Sequence, residues 1–370
     1  MTKPKVIRRA AILSAAALLL LLAAAGLLTA ARVRLGRSLT DQRAAERWGG
    51  ASSAQLSCFF AAGRGPSFDS LYGVARRIDE ALSAASLRAE DGARLWYAAA
   101  SAETTLYAST TRGSATLQAT VFFGDYFYIH QPELVSGGYL AAGGANAGYI
   151  FLDENAAWRL FGALDVAGMT VTIADTEYVV CGIGRVPHGT VYDEAYGDAP
   201  RAWLLSDSAA GARAETADVY EAVLPDPIDG FAADVLAGQF SSDAVLVENS
   251  ARFTLSALWE GISARKTLGV RTSPVTYPWW ENRARVAEYR ATSYLIASAW
   301  LAGAALLLVL VWLVVLYKPF CALLSRVVHA ARDGVEEGWR RLTSPRPKKE
   351  TKPQANQKQS SPRPPASPIQ

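Results

Sequence analysis

Residues 119–185, ATVFFGDYFYIHQPELVSGGYLAAGGANAGYIFLDENAAWRLFGALDVAGMTVTIADTEYVVCGIGR, decide the fold. An aromatic strand end, Val121 to Phe127, leads to a glycine turn at Gly137-Gly138. A strand, Tyr149 to Leu152, then meets Asp153, a side chain suited to accept the free amide hydrogens that open a helix. That helix runs into Leu160-Phe161-Gly162. After Gly168, the spacing predicts two strands, Thr170–Ile173 and Tyr178–Gly182, on either side of an Asp-Thr turn.

Outward from this module the pattern is β-α-β on both sides. Upstream, Ala54–Phe60 reads as a strand, and Ser67–Leu87 as a helix with apolar residues at Phe68, Leu71, Val74, Ile78 and Leu82. Ser67 is its expected N-cap. Leu95–Ser109 and Thr116–Phe123 read as strands joined by a turn at Arg112-Gly113. Leu117, Ala119, Val121 and Phe123 share one face. Downstream, Val186–Pro200 reads as a loop and Arg201–Leu205 as a strand. A second unit follows: strand Asp218–Leu224, helix Ile228–Gln239 opened by Asp226-Pro227, strand Ala244–Glu248. The expected fold is an α+β extracytoplasmic domain. Its two ends pair as one β-α-β layer, and a β-rich subdomain, about residues 119–205, is inserted between them.

Composition adds a membrane. The chain has 370 residues, 51% of them apolar, and the excess is concentrated in two places. Ala10–Ala31 is 22 uncharged residues and Tyr294–Tyr317 is 24. At about 1.5 Å rise per residue, each spans a hydrocarbon core of about 30 Å. The first has the basic start and small-residue end of a signal peptide, but exceeds the usual apolar stretch of about 7–15 residues, so an uncleaved anchor is expected. Lys3, Lys5, Arg8 and Arg9 precede it. Residues 318–370 carry 11 Lys and Arg against 4 Asp and Glu. Both termini therefore read as cytoplasmic, against the opposing signal of Arg32, Arg34 and Arg37. The organisation expected is 1–9 inside, a span over 10–31, an outer domain over 32–293, a span over 294–317, and a basic, largely disordered cytoplasmic tail over 318–370, with the disorder over 343–370, that faces anionic lipid. Residues 32–53 read as a stalk. Asn249–Ser263 reads as amphipathic. Tyr277, Trp279 and Trp280 mark either the headgroup level or an aromatic cluster packed on the domain.

Catalytic patterns are absent. His130, His188 and His329 show no metal-ligand spacing, and there is no HExxH, CxxC, P-loop or GxSxG. Asp153-Glu154 and Asp193-Glu194 are adjacent pairs, not facing carboxylates, and capping explains Asp153 better. No enzyme activity, cofactor, metal or nucleic-acid partner is expected. Cys58 and Cys181 admit one bridge, but two free thiols are the expected state.

Over Asp125–Ile183 the sequence resembles the periplasmic core domain of MacB-type ABC transporter permeases, with the FtsX-type cell-division permeases as a related reading. That family shows a "dYF" approach to a Gly-Arg segment, a strand, a helix ending "LFG", and then "vGk.i.i....fTVvGV". Here Asp125-Tyr126-Phe127, Leu160-Phe161-Gly162, Gly168 and Val179-Val180-Cys181-Gly182-Ile183 hold those places, while Gly137-Gly138 departs from Gly-Arg. The resemblance implies a bacterial transport subunit with a porter-like layer near the membrane. It implies structural roles for Tyr126, Phe127, Leu160, Phe161, Gly162, Gly168 and Gly182. The implied partner is an ABC ATPase, another permease subunit, or both. Family permeases have one span before this domain and three after it, so this chain reads as reduced to two spans, with an independent binding or sensor module as the alternative. Two spans enclose little. Small-xxx-small pairs, Gly26/Ala30 and Ala299/Gly303, are the expected helix-contact faces, toward each other, a partner or a second copy.

Overall fold

The computed structural model describes residues 3–49, 52–89, 93–189, 191–241, 244–271, 275 and 277–343. The expectation for the tail beyond residue 343 lies outside them. The chain forms two units, Met1–Ala305 and Leu306–Gln370. Helix α1, Lys3–Arg37, is built from Ala and Leu, both strong helix formers. Strand β1, Ser53–Phe59, leads to α2, Leu71–Ala84, whose buried Leu71, Val74, Ile78 and Leu82 recur at helical spacing. A 3₁₀ turn, Phe68–Ser70, precedes α2, and Ser67 makes no capping bond with its side chain. Strands β2, Tyr97–Ser109, and β3, Ser114–Gly124, form the expected hairpin, closed by the bond from Thr110 N to Gly113 O.

The module follows as α3, Tyr126–Ile129; β4, Leu134–Gly137; β5, Tyr149–Asp153; α4, Glu154–Phe161; β6, Thr170–Ile173; and β7, Thr176–Gly184. The β6–β7 turn is Ala174-Asp175, both at positive φ, rather than Asp-Thr. Two left-handed central residues match the twist of a hairpin. Next come α5, Tyr192–Tyr196, a short helix where the sequence reads as a loop, and β8, Arg201–Leu205. The domain closes with β9, Val219–Pro225; α6, Phe231–Ala237; β10, Val245–Glu248; and α7, Leu255–Glu260, much shorter than the amphipathic stretch. The last helix, α8, runs from Trp279 to Thr343. The aromatic stretch and the second apolar run thus share one helix.

All the strands lie in one mixed sheet ordered β10-β1-β9-β2-β3-β8-β5-β7-β4, with β6 joining β2 and β7. Among the described residues, only β3–β8 and β5–β7 are parallel. The two ends of the domain interleave, because β9 lies between β1 and β2. This is the expected α+β layer, and the module strands extend the same sheet from β3.

One face of the sheet is mainly apolar. Leu117 and Ala119 of β3 pack with Leu160 and Phe161 of α4, while Val121 on the same face packs with Ile78 of α2 and Leu236 of α6. The other face is covered by the segment after α1 and by the start of α8. Ala44 and Ala45 join Phe122, Tyr126, Phe127 and Trp203, and Trp280 packs with Phe59 and Val219. Residues 32–53 are therefore not a stalk: Leu39, Asp41, Gln42, Ala44 and Ala45 are all buried. Trp280 and Tyr277 belong to a packed cluster on the domain, which resolves the two readings of those aromatics.

Cys58 and Cys181 are free, on β1 and β7, which lie far apart in the sheet order. Burial pushes each thiol up to about 12, which keeps them protonated and poorly nucleophilic.

Candidate functional site

The second face of the sheet is polar around β1 and β9, near one edge of the sheet, because β1 alternates. Leu56 and Cys58 face the apolar core, while Gln55 and Ser57 point the other way and are fully buried. Beside them, β9 carries Glu221, also buried. Buried polar groups need partners, and three segments supply them.

From the segment after α1, Asp41 Oδ1 lies 2.9 Å from His130 Nδ1. His130 Nε2 lies 2.5 Å from Glu221 Oε2. Arg283, near the start of α8, donates from Nη2 to Asp41 Oδ2 at 2.6 Å and to Gln42 Oε1 at 3.2 Å. Ser57 Oγ donates to Glu221 Oε1 at 3.0 Å and accepts from Asn249 Nδ2 at 2.8 Å. Arg252 then forks onto Glu281 of α8, at 2.7 and 2.9 Å, and reaches Glu288 at 2.8 Å. Gln55 clasps the chain after α1 through Ala44 N and Asp41 O.

The result is a chain of charges of alternating sign, Arg283–Asp41–His130–Glu221, with a second pair, Arg252–Glu281, joined to it through Asn249 and Ser57. It runs from the C-terminal end of α1, across the sheet, to the start of α8. Burial alone would push the Asp41 carboxyl up, but Arg283 and His130 outweigh it and hold it at about 2. Burial alone would push the His130 imidazole down, but Glu221 and Asp41 hold it up at about 9. His130 is therefore an imidazolium at neutral pH, donating from both nitrogens, with its ring packed between Tyr126 and Trp280 at 4.6 Å each.

Beside this chain lies a cavity of about 380 Å³. Tyr126, Tyr139, Tyr196, Trp203 and Trp279 form its aromatic walls, and Asp41, His130 and Arg283 its polar side. The Arg283 guanidinium stacks over Tyr192 at 4.4 Å and lies 5.6 Å from the Trp279 ring. Among the described residues, Arg283 Nε and Trp279 Nε1, buried donors of two side chains that line the cavity, have no hydrogen-bond partner. Among the described residues, no group of three or more His, Cys, Asp or Glu is placed to hold a metal ion.

The structure puts the motif residues in different surroundings. Tyr126 and Phe127 sit in the aromatic core beside the site, and Tyr126 also lines the cavity. Leu160 and Phe161 anchor α4 in the other core, with Asp153 capping that helix by accepting from Ala156 N at 2.7 Å. Burial raises the Asp153 carboxyl to about 6. Gly162 caps α4 at φ 69° and Gly168 turns at φ 87°. At Gly182 a Cβ would stand 2.2 Å from Gly138 O, so the two chains touch by backbone, and Gly138 itself is where the sequence departs from Gly-Arg. Of the helix-contact residues, Gly26, Ala30, Ala299 and Gly303 are exposed in the single chain, and a Cβ on either glycine would meet nothing within 4 Å. The partly covered stripe of α1 is a different one: Leu18, Leu21, Ala25, Leu28, Arg32 and Leu35. Leu35 packs against Val286, Ala287, Ala291 and Leu295 of α8.

The charge chain escaped sequence reasoning, although it left a trace. Gln55, Ser57 and Glu221 are polar residues inside strands that are apolar on their other face, and Glu281 and Arg283 interrupt an aromatic stretch. Nothing local says that these positions meet.

No protein-family model and no curated protein sequence matches the chain. Among solved structures, the chain aligns with three domains of bacterial proteins. The periplasmic region of MacB from Actinobacillus actinomycetemcomitans aligns over 55% of this chain and 91% of its own, at 13% identity and a TM-score of 0.36. The extracellular domain of the noncanonic ABC-type transporter YknZ from Gram-positive bacteria aligns over 53% and 99%, at 10% identity and a TM-score of 0.34. A domain of a putative permease protein from Porphyromonas gingivalis aligns over 53% and 87%, at 11% identity and a TM-score of 0.31. Two helices of this chain, around Arg9–Arg37 and Trp279–Val315, are long and apolar enough to cross a membrane.

Proposed function

We propose that this protein is a non-catalytic, two-span subunit of the ABC permease type, with both termini cytoplasmic. Its outer domain transmits motion between the membrane helices and a partner or cargo outside. The observation that carries this reading is the charge chain. Asp41, four residues beyond α1, and Arg283 and Glu281, in the first turns of α8, are bound to one sheet through His130, Glu221 and Arg252. Displacing either helix end would separate buried opposite charges, which is costly, so the domain and both helix ends move together. The drive would come from an ABC ATPase, directly or through another permease subunit. The basic residues after 318 suit an anionic inner leaflet.

Crosslinking and affinity capture of the full chain from native membranes tests the partner. Recovery of an ABC ATPase or a longer permease is the expected result, and recovery of neither in a membrane that contains both would refute it. Orientation is tested with a membrane-impermeant thiol reagent. Ser83→Cys on exposed α2 should label from outside, and Gln357→Cys should not. External labelling of the tail overturns the arrangement.

The cavity favours a second reading, an anchored sensor that binds a small molecule. Its volume lies within the range of small-ligand sites, and its lining combines aromatic rings with the Arg283 guanidinium. An isolated protein that binds a small acceptor-bearing aromatic compound, and captures no ATPase, would support this reading over the first.

A further inference from the structure

Helix α7 divides its apolar residues between inside and outside. Leu258 is buried against Ala291 and Leu295 of α8, with Leu35 of α1 and Phe253 in the same cluster. Leu255 and Trp259, on its other side, are 57% and 60% exposed. They border an open groove whose far wall is Leu295. Leu295 is the second residue of the uncharged run Tyr294–Tyr317, so α7 lies where that run begins. Its exposed apolar face therefore continues the surface of a helix that is itself apolar and exposed, with Trp300 at 76%. In water this would be a large unsatisfied patch; beside a bilayer it meets acyl chains.

Basic side chains stand at the same level, alongside the exposed Glu260 of α7, which lines the groove. Arg265, in the 3₁₀ turn Ser263–Thr267 after α7, donates to Ser293 Oγ at 2.7 Å and stacks on Tyr289 at 4.4 Å. Lys266 beside it is exposed. On α1, Gly36 lies against Phe253, so the exposed Arg34 and Arg37 stand near the same height. A basic rim next to an apolar face is the arrangement of interfacial segments. It also accounts for the arginines that follow the first span, which oppose the charge-based orientation: they sit where outer-leaflet phosphates would be.

We propose that α7 and the turn after it are seated in the headgroup layer of the outer leaflet. Leu255 and Trp259 face the acyl-chain boundary, and Lys266, Arg34 and Arg37 face lipid phosphates. The segment fixes the depth of the domain and clamps the outer ends of α1 and α8. This rests on the two helices spanning the membrane and not on any transport partner, so it fails or survives separately from the capture experiment above.

The test uses the full chain with Cys58, Cys181 and Cys321 replaced by Ala, in nanodiscs of phosphatidylethanolamine and phosphatidylglycerol loaded at one copy per disc. A nitroxide is attached at Leu255→Cys, Trp259→Cys or, as control, Tyr107→Cys. Tyr107 is 64% exposed on β2, and its neighbours Leu106 and Ala108 lie in a core that no residue of α1, α7 or α8 joins. Collision with molecular oxygen, which partitions into lipid, is compared with collision with a water-soluble nickel chelate. At both α7 positions oxygen should dominate several-fold, and at Tyr107→Cys the chelate should. Chelate dominance at Leu255→Cys overturns the proposal. Shielding from both reagents also overturns it, because the cover would then be protein rather than lipid. Either α7 variant alone suffices if the other fails to fold.

Discussion

Arg283 donates a 2.6 Å hydrogen bond to Asp41, 242 residues earlier in the chain, and this bond ties the base of the second long helix to the end of the first. Both side chains are buried, at 1% and 7% side-chain exposure, so the pair exchanges no charge with solvent. Removing one partner leaves the other charged and buried. Arg283→Met should destabilise the protein by about 3 kcal/mol, and Asp41→Asn by a similar amount. The double variant should lose less than the sum of the two, because no lone charge remains. Denaturant titrations of the four proteins in detergent measure this, and strict additivity would mean that the pair is not coupled.

Stability should fall in mildly alkaline solution. The His130 pKa is raised by the fold from 6.5 to about 9. Its contribution is therefore complete below pH 6.5 and is lost as the pH rises through 9. By linkage the loss is about 3 kcal/mol. The lowered carboxyl of Asp41 acts in the opposite sense, present above pH 3.8 and lost as the pH falls toward 2. Asp153, raised to about 6, titrates outside the alkaline window. Unfolding midpoints between pH 6.5 and 9 should slope downward in the native protein and be nearly flat in His130→Gln. Equal slopes would assign the alkaline loss to other groups.

The glycines should separate into two classes. Gly162 and Gly168 have positive φ but open space around a Cβ, so alanine there costs only backbone strain, about 1 kcal/mol. Gly182 meets the backbone of Gly138, and Gly137 combines positive φ with Cys181 O at 2.2 Å from a Cβ. Alanine at either forces β4 away from β7 and should cost about 3 kcal/mol. Thermal melts of Gly162→Ala and Gly182→Ala compare the two classes directly, and the second should melt well below the first.

The exposed faces around Gly26/Ala30 and Ala299/Gly303 are proposed as contacts with helices of another chain. Lipid supplies no hydrophobic drive for pairing, so close approach at small residues carries it. Gly26→Leu with Gly303→Leu should reduce co-purified complex by several-fold while leaving membrane insertion intact. Unchanged recovery would turn these faces toward lipid. Leu35→Ala, on the covered stripe, should instead destabilise the chain itself.

Much of the fold was legible because its signals are local. The helical recurrence of Leu71, Val74, Ile78 and Leu82 and the two-residue alternation from Leu117 to Phe123 report which faces are apolar. Asp153 and Gly162 mark the ends of one helix. Each depends on residues a few positions apart. The readings that failed were those in which tertiary contact overrides local pattern. Residues 32–53 look like a solvated stalk because they mix charged and small residues, while the partners that bury Asp41 and Gln42 lie far away in sequence. Val186–Pro200 looks like a loop because α5 is held by packing, with Tyr196 buried against Trp279.

Sequence alone thus determined two apolar helices, an α+β domain between them, and a module whose glycines and aromatics set its turns. Only the tertiary structure decided what lies on the second face of the sheet. There Asp41, His130, Glu221 and Arg283 come together across separations of 89, 91 and 242 residues. Burial makes each of these charges depend on the others. Apolar periodicity is written into neighbouring residues, whereas the partner of a buried charge is specified only when the chain has folded back upon itself.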